Sequence, residues 1–436
     1  MMKTPELLLP AGGLERMRAA FDFGADAVYA GQPRYSLRAR NNEFAKLEEL
    51  HQAIEEAHNR GKKFFLASNL LAHNAKLKTY LSDLSPVIAM KPDALIMADP
   101  GLMMMVRERF PDIPIHLSVQ ANTTNYWSVQ FWQKMGVSRI ILSRELSLAE
   151  IAEIRENCPD IELEVFVHGA LCIAYSGRCL LSGYFNHRDP NQGTCTNACR
   201  WSYSVHETQS NDAGDVQLSD SGHQRNLQAD KVYLLEEENR PNQYLPIMED
   251  EHGTYIMNSK DLRAVEQIGK LIEIGVDSLK VEGRTKSLYY VARTAQTYRR
   301  AIDDALSGRP FNPELLRDLE GLANRGYTPG FLERHRTQDY QNYLDGHSIS
   351  RRSQFVGQVT KVFDDGWAVV DVKNRFAVGD TLEIIHPAGN SLYSISQIKR
   401  NGENIDVANG NGIIVQIPNM HGKNGALLAR ILPENE

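Results

Sequence analysis

A short apolar run followed by an amphipathic stretch repeats through the first 200 residues, and this alternation constrains the fold most. The runs are rich in Val, Ile, Leu and Phe, as expected for parallel strands that are buried on both faces. Eight strands are predicted, at Glu6–Gly12, Asp26–Gln32, Lys63–Asn69, Asp93–Asp99, Ile115–Gln120, Arg139–Glu145, Leu163–Gly169 and Ser278–Arg284. Eight strands in alternation with helices predict an α/β fold, a closed TIM-like (β/α)8 barrel.

The intervening stretches repeat apolar residues every three or four positions, which is typical of helices packed on a sheet. Helices are predicted at Leu14–Phe23, Leu47–Asn59, Trp127–Met135, Leu148–Asn157, Asp261–Ile274 and Leu288–Leu306. Gly24, Gly61 and Gly136 stand where helix C-caps would lie. An open doubly wound sheet is the alternative fold, but no Gly-rich dinucleotide fingerprint follows the first strand.

Two further regions depart from this pattern. Residues 203–250 are rich in Ser, Asp, Asn, Gln and Glu, and they predict a long, partly disordered insertion in a barrel domain spanning residues 1–345. After residue 350, short β-rich runs alternate with Gly, Asn and Asp turns up to residue 436. This pattern predicts a separate small antiparallel β-barrel over residues 350–436.

The formal charge of −7 is unevenly distributed. Residues 201–260 hold 4 Lys/Arg and 11 Asp/Glu, so the rest of the chain is neutral overall. A strongly basic nucleic-acid binder is excluded, and contact with RNA would have to be local. The first residues lack the features of a signal peptide, and no apolar run approaches the length of a membrane span. The sequence therefore predicts a cytoplasmic protein with no membrane partner.

Four of the five cysteines lie within 28 residues, as Cys172, Cys179, Cys195 and Cys199. A reducing cytosol disfavours disulfides between them. Four thiolates suit tetrahedral Zn²⁺, although the paired C-x2-C knuckles of zinc ribbons are missing. Wider spacing on loops fits a 4Fe–4S cluster at least as well. Iron–sulfur, zinc and redox thiols all remain open on spacing alone, while the separate Cys158 is expected to be a small, semi-buried residue.

Several motifs carry a resemblance to a known family. They include Glu164–Cys172 with Gly177–Ser182 behind it, Gly24–Gly31, Pro190–Arg200, Tyr255–Leu262 and Lys280–Lys286. Together they resemble the collagenase-like (U-type) peptidase family over the whole barrel, and the C-terminal β-module is similar to the accessory domain of that family. Within it, the branch of tRNA hydroxylation proteins is the most similar.

The resemblance implies an enzyme of RNA modification rather than a protease. That branch is implicated in prephenate-dependent, O2-independent hydroxylation of the wobble uridine of tRNA to 5-hydroxyuridine, the first step towards 5-carboxymethoxyuridine. It further implies that Cys172, Cys179, Cys195 and Cys199 ligate a 4Fe–4S cluster, with tRNA and prephenate as partners. Ribosomal RNA cytidine hydroxylation, a ubiquinone-type ring hydroxylation and a collagenase-like peptidase are the alternatives. The sequence lacks H-E-x-x-H and G-x-S-x-G motifs, which disfavours proteolysis.

Active residues of such barrels lie at the carboxyl ends of the strands, and Cys172 follows the seventh strand directly. His168 is a candidate proton donor or substrate-orienting residue, or else a hydrogen-bonded structural histidine. The catalytic candidates are completed by Glu282, Arg284 and Arg144. Candidate substrate-binding residues are Arg34, Arg38, Asn122 and Lys286.

Cations and aromatic side chains near these strand ends have two interpretations each. Arg284 and Lys286 would clamp a carboxylate or phosphate, or form local ion pairs with Glu282. Arg34 and Arg38, with Arg40, form a second cationic set that would meet substrate or RNA phosphates, or only solvent. Tyr35, Trp127 and Tyr175 would stack on a flipped base, or pack in the core.

Overall fold

The structure is a computed structural model of the 436-residue chain. It describes residues 3–37, 44, 46–171, 260–284, 286–324, 326–333 and 352–432, and the backbone of five short strands between residues 208 and 255. Arg38, Arg40, Tyr175 and the four clustered cysteines lie outside the described residues.

Eight parallel strands form a closed barrel, as the sequence predicts. They are β1 to β7, at Glu6–Pro10, Ala27–Gly31, Lys63–Ser68, Ala94–Met97, Ile115–Leu117, Arg139–Ile141 and Glu162–Ala170, and a later strand at Ser278–Val281. Each strand pairs in parallel with the next, and Ser278–Val281 closes the ring by pairing with both β7 and β1. Most predicted strands extend one to four residues too far, because their final polar residues belong to the loops at the barrel mouth.

Nine described helices surround and extend the barrel. They are α1 to α9, at Leu14–Asp22, Leu47–Asn59, Asn74–Ala89, Pro100–Arg109, Tyr126–Lys134, Leu148–Asn157, Ile268–Ile274, Leu288–Leu306 and Glu314–Glu320. Gly24, Gly61 and Gly136 have positive φ angles of 109°, 65° and 80°, which confirms their place just after α1, α2 and α5. Ser147 begins α6 with a capping box, its hydroxyl and Glu150 satisfying each other's backbone N–H groups.

The predicted helix at Asp261–Ile274 is wrong over its first turn. Five short strands of the insertion precede it: β8 to β12 lie at Thr208–Ser210, Val216–Leu218, Tyr233–Glu236, Tyr244–Asp250 and Gly253–Tyr255. Asp261–Arg263 is then strand β13, which pairs antiparallel with the end of β7 and parallel with β15 at Tyr327–Thr328. These long-range ladders override the helical periodicity, and only Ile268–Ile274 forms a regular helix. The closing barrel strand, Ser278–Val281, is β14.

Residues 352–432 form the predicted antiparallel β-module. Its strands β16 to β25 lie at Ser353–Val362, Ala368–Val372, Phe376–Ala377, Thr381–Ile385, Ser391–Ser394, Ile398–Arg400, Glu403–Ile405, Val407–Ala408, Ile413–Ile417 and Leu427–Ile431. Eight of them form one sheet that curves around its own apolar core and stays open between β20 and β22 within residues 352–432. Strands β20 and β21 are separated by three residues, 395–397, that are in neither a helix nor a strand.

The β-module packs directly on helix α8 of the barrel. Arg293 of α8 is buried, and its guanidinium bonds Glu383 of β19 at 2.6 Å and Asp318 of α9 at 3.3 Å. The ring of Tyr289 stacks on Phe355 of β16, with their centroids 5.2 Å apart. A buried charge that is paired on both sides fixes the orientation of the two parts relative to each other.

Candidate functional site at the barrel mouth

The interior of the barrel contains ion pairs where most such barrels hold aliphatic side chains. The guanidinium of Arg139 lies 2.6 Å from Glu6 and 3.1 Å from Glu164, and the ammonium of Lys280 lies 2.7 Å from Glu164. These four residues come from β1, β6, β7 and β14, so the network crosses the barrel. Burial favours the neutral acid at Glu164, but the charges of Lys280 and Arg139 outweigh it and hold its pKa below the usual range.

Side chains alternate along a strand, so the residues two positions further on also face the interior. Lys280 is followed in this way by Glu282, which lies at the mouth. The hydroxyl of Tyr29 donates to the carbonyl of Val281 at 3.0 Å and lies 3.3 Å from the Glu282 carboxylate. Burial, reinforced by Glu282, raises the pKa of Tyr29 well above its ordinary value. Tyr29 therefore stays protonated as a hydrogen-bond donor.

Arg144 lies on the same side of the mouth. Its guanidinium is 3.8 Å from the carboxylate of Glu282, donates to the carbonyl of Ala170 at 2.9 Å, and stacks 3.9 Å from the centre of the Phe166 ring. The ring and the carbonyl fix the plane of the guanidinium while its far edge faces Glu282. Sequence reasoning selected Arg144 but missed Phe166, which holds it in place.

Two glycines make room for Arg284 beside Tyr29. A Cβ on Gly12 would lie 2.5 Å from the backbone carbonyl of Arg284, and one on Gly31 would lie 3.1 Å from its guanidinium. The guanidinium carbon lies 5.9 Å from the centre of the Tyr29 ring. Tyr29, Arg144, Glu282 and Arg284 therefore form one group, called here the mouth cluster. It combines two guanidinium groups with one carboxylate, which suits the binding of an anionic group such as a carboxylate or phosphate.

The opposite side of the mouth carries neutral polar side chains. Asn69 follows β3, and Ser118 and Gln120 follow β5, where Asn122 ends a short 3-10 turn at a left-handed φ of 52°. The amide of Asn122 donates to the carbonyl of Gln120 at 2.9 Å. Among these residues, Asn122 was selected from the sequence as a substrate-binding candidate. The arrangement places it at the mouth with its side-chain nitrogen directed to the backbone.

His168 does not join the mouth cluster. Its ring lies among Tyr290 and Tyr298 of α8 and Tyr327 of β15, with centroids 5.5 to 5.7 Å away. A shift in the β7–β14 register at Lys280/Val281 breaks the alternation that would have turned His168 inward. Burial lowers the pKa of His168 to about 3, so the ring is neutral. Two roles were considered for His168, and the structure agrees with the second of them, a hydrogen-bonded histidine at the end of a strand.

The remaining candidates are spread around the rim. Arg34 is exposed and pairs with Asp83 at 2.8 Å, and the ammonium of Lys286 lies 5.2 Å from the centre of the Tyr290 ring. Tyr35 is in the core and bonds the Asp83 carboxylate, so it is not available for stacking. Trp127, at the start of α5, has 68% of its surface exposed and is open to a planar partner.

The candidate cluster ligands Cys172, Cys179, Cys195 and Cys199 lie outside the described residues. The last described residue before them is Leu171, which follows Ala170, and the carbonyl of Ala170 accepts a hydrogen bond from Arg144. Cys158 is buried behind α6, its thiol 3.6 Å from the carbonyl of Tyr126, and burial raises the pKa of this thiol. The structural interpretation of Cys158 is confirmed. Across the described helices, none combines the length and apolar character that crossing a membrane requires.

The fold and the mouth define a (β/α)8-barrel protein with two guanidinium groups and one carboxylate clustered at its mouth, followed by a C-terminal β-module. Residues 12–342 match Peptidase family U32, and residues 351–430 match the Peptidase family U32 C-terminal domain. The chain belongs to Peptidase family U32, which confirms the family resemblance seen in the sequence.

Curated relatives cover nearly the whole chain. It is 58% identical over 427 residues to tRNA hydroxylation protein P of Escherichia coli, covering 96% of this chain and 94% of the relative. Identity to tRNA hydroxylation protein P of Haemophilus influenzae is 57% over 444 residues, covering 98% and 96%. A 23S rRNA 5-hydroxycytidine synthase of Escherichia coli is 29% identical over 407 residues, which cover 92% of this chain but 55% of that protein.

Proposed function

We propose that this protein hydroxylates the wobble uridine of tRNA to 5-hydroxyuridine, with prephenate as co-substrate. The observation that carries the proposal is the 58% identity, over 96% of the chain, to a protein named for tRNA hydroxylation. The neutral charge outside the acidic segment fits a local RNA contact rather than a long basic surface. Ribosomal RNA hydroxylation is the second candidate, since a 23S rRNA 5-hydroxycytidine synthase is also a relative, at 29% identity.

Replacing the hydrogen at carbon 5 of uracil by a hydroxyl group is a two-electron oxidation, for which the proposed co-substrate would be the net electron acceptor. The four clustered cysteines are the proposed ligands of a 4Fe–4S cluster, which supplies electron-transfer chemistry when bound. Within the described residues no group of three or more His, Cys, Asp and Glu side chains offers a metal site, so the thiolates of 172–199 are the candidate donors. Zn²⁺ is the alternative occupant of the same four thiolates.

The mouth cluster is the proposed binding site for the carboxylates of prephenate. Arg144 is held from behind by Phe166 and Ala170, and Arg284 occupies the space that Gly12 and Gly31 leave. A carboxylate that enters between the two guanidinium groups replaces the long contact to Glu282 by charge-assisted hydrogen bonds. Tyr29, which stays protonated, donates a further hydrogen bond at the same place.

Nucleoside mass spectrometry of tRNA and ribosomal RNA from a strain lacking this gene tests the proposal. Wild-type protein is expected to restore 5-hydroxyuridine in tRNA, and Cys172→Ala and Cys195→Ala to restore none. Cys158→Ala is the matched control, because Cys158 is buried away from the mouth. Loss of 5-hydroxycytidine from ribosomal RNA with intact tRNA would support the second candidate instead.

Iron, sulfide and zinc are measured on anaerobically purified protein from the same variants. About four iron and four sulfide per chain in the wild type and in Cys158→Ala, with a loss in Cys172→Ala, are expected for the cluster. One zinc and no sulfide per chain would identify the alternative occupant. Protein that is free of iron and still restores the modified nucleoside would refute the cluster.

A further inference from the structure

On the neutral side of the mouth, the side-chain amide of Gln120 is a buried donor with no partner in the part of the chain that the structure describes. The side-chain nitrogen of Gln120 is inaccessible to solvent and makes no hydrogen bond there. Gln120 as a whole is 4% exposed. A buried amide donor that lacks an acceptor costs free energy, and a ligand that supplies an acceptor would recover that cost.

Three residues in series fix which end of the Gln120 amide is the donor. The backbone N–H of Leu37 donates to the side-chain oxygen of Asn69 at 3.3 Å, which turns the Asn69 nitrogen towards Ser118 at 3.5 Å. The hydroxyl of Ser118 accepts that bond and another from the backbone N–H of Gln120 at 3.4 Å. Its own hydrogen then goes to the side-chain oxygen of Gln120, at 3.3 Å.

Alternation along the strands places this series on the inner wall. Lys63 and Phe65 of β3 and His116 of β5 face the barrel interior, where Lys63 meets Glu6 and the Phe65 ring lies 4.8 Å from His116. Asn69 and Ser118 continue the same alternate positions up to the mouth. The Gln120 amide, bonded to Ser118, therefore lies on the wall across from Tyr29 and Arg284.

We propose that Gln120 reads the target base by donating a hydrogen bond to the carbonyl oxygen at position 4 of uracil. The inference rests on the proposed function and adds its base specificity. Cytosine carries an amino group at that position, so two donors would face each other. Because the Ser118 hydroxyl donates to the Gln120 oxygen, exchanging the oxygen and nitrogen of this amide to suit cytosine would break that hydrogen bond. Ser118 is thus a positioning residue that acts through Gln120.

Binding of two anticodon stem–loops that differ only by uridine or cytidine at the wobble position tests this inference. Gln120→Glu keeps the shape but replaces the donor by an acceptor, and we expect a loss of uridine-loop affinity of about 10- to 100-fold. The cytidine loop is expected to lose much less. Gln130→Glu on α5 is the matched control, since Gln130 is half-buried, bonds the carbonyl of Asn157 and lies outside the series of Leu37, Asn69 and Ser118.

Ser118→Ala gives a second, independent measurement. Without the hydroxyl the Gln120 amide can rotate, so the preference for uridine over cytidine should fall while uridine binding falls less than in Gln120→Glu. Thermal melting of each variant shows that it is folded. A uridine-to-cytidine affinity ratio within twofold of the wild-type ratio in both variants would overturn the inference.

Complementation separates this inference from the proposed function. If the wild type restores 5-hydroxyuridine and Gln120→Glu does not, both hold. If both proteins restore it equally, the role of Gln120 is wrong and the proposed function stands. If the wild type modifies only ribosomal cytidine, the proposed function fails, and a uracil-reading Gln120 fails with it.

Discussion

Lys280→Met is expected to destabilise the barrel, because it removes one of the two cations that pair with the buried carboxylate of Glu164. Glu164 has no exposed surface, and the Lys280 ammonium at 2.7 Å is its shortest cationic contact. Removing one partner of a buried ion pair costs about 3–5 kcal/mol. Arg139 remains 3.1 Å from Glu164, so the lower end of that range applies, about 3 kcal/mol.

Calorimetric melting of the whole chain measures the effect. At about 2 °C per kcal/mol for a domain of this size, the barrel transition should fall by about 6 °C. Lys63→Met is the matched control, because Lys63 also pairs with a carboxylate of a barrel strand, that of Glu6. Its side chain is 54% exposed, so a loss of at most about 1 kcal/mol of unfolding free energy is expected.

A double-mutant cycle then separates the charge from the shape of Lys280. Adding Glu164→Met removes the uncompensated carboxylate, and Arg139 keeps its contacts with Glu6 and Glu162. The double variant should therefore melt above Lys280→Met, since an apolar pair of similar volume replaces a buried ion pair with little loss. If Lys280→Met melts within 1 °C of the wild type, or if the two losses simply add, the network does not work as described.

Two other outcomes follow from the structure. His168 has a pKa of about 3 in the folded protein against about 6.5 in the unfolded chain, so as the pH falls below 6.5 the unfolded state takes up a proton that the folded state does not. Between pH 7 and 5, His168→Phe should therefore lose about 2 kcal/mol less unfolding free energy than the wild type. An unchanged pH dependence of the unfolding free energy, measured with urea, would contradict this. Gly12→Ala should displace the backbone of Arg284 and lower the proposed activity, measured as 5-hydroxyuridine formation. Gly269→Ala, whose new Cβ meets nothing within 4 Å, should leave that activity unchanged and raise the free energy of unfolding by up to about 1 kcal/mol. Equal activity of the two variants would show that activity does not depend on the space that Gly12 leaves for the backbone of Arg284.

Local patterns predicted the barrel because its strands and helices obey them. The helices Leu47–Asn59, Leu148–Asn157 and Leu288–Leu306 have the bounds expected from their periodicity. Each carries an apolar stripe of the correct period, so local preference and tertiary packing agree there. The polar residues that follow the strands were selected in the same way, and three of them, Arg144, Glu282 and Arg284, do meet at the mouth.

Features set by pairing between distant segments escaped prediction. Asp261–Arg263 has helical periodicity, yet it is a strand because the end of β7 offers it an antiparallel edge. His168 was expected at the mouth, but the register shift where β7 pairs with β14 turns its ring under α8. The one local signal is Gly169, whose φ of 107° marks irregular backbone at this point. Its effect on His168 depends on β14, more than 100 residues later in the chain.

The net charge at the barrel mouth depends on the ion pairs that are buried in the barrel interior beneath it. The predicted strands are rich in apolar residues, but their inward positions carry Glu6, Arg139, Glu164 and Lys280, two acids and two bases. Because this network sums to zero, it adds little net potential at the mouth. The sign of the site is therefore decided by the mouth cluster, where two guanidinium groups face one carboxylate. A chain whose formal charge is neutral outside one acidic segment can thus attract an anion locally, and an uncompensated charge in the barrel interior would alter that attraction.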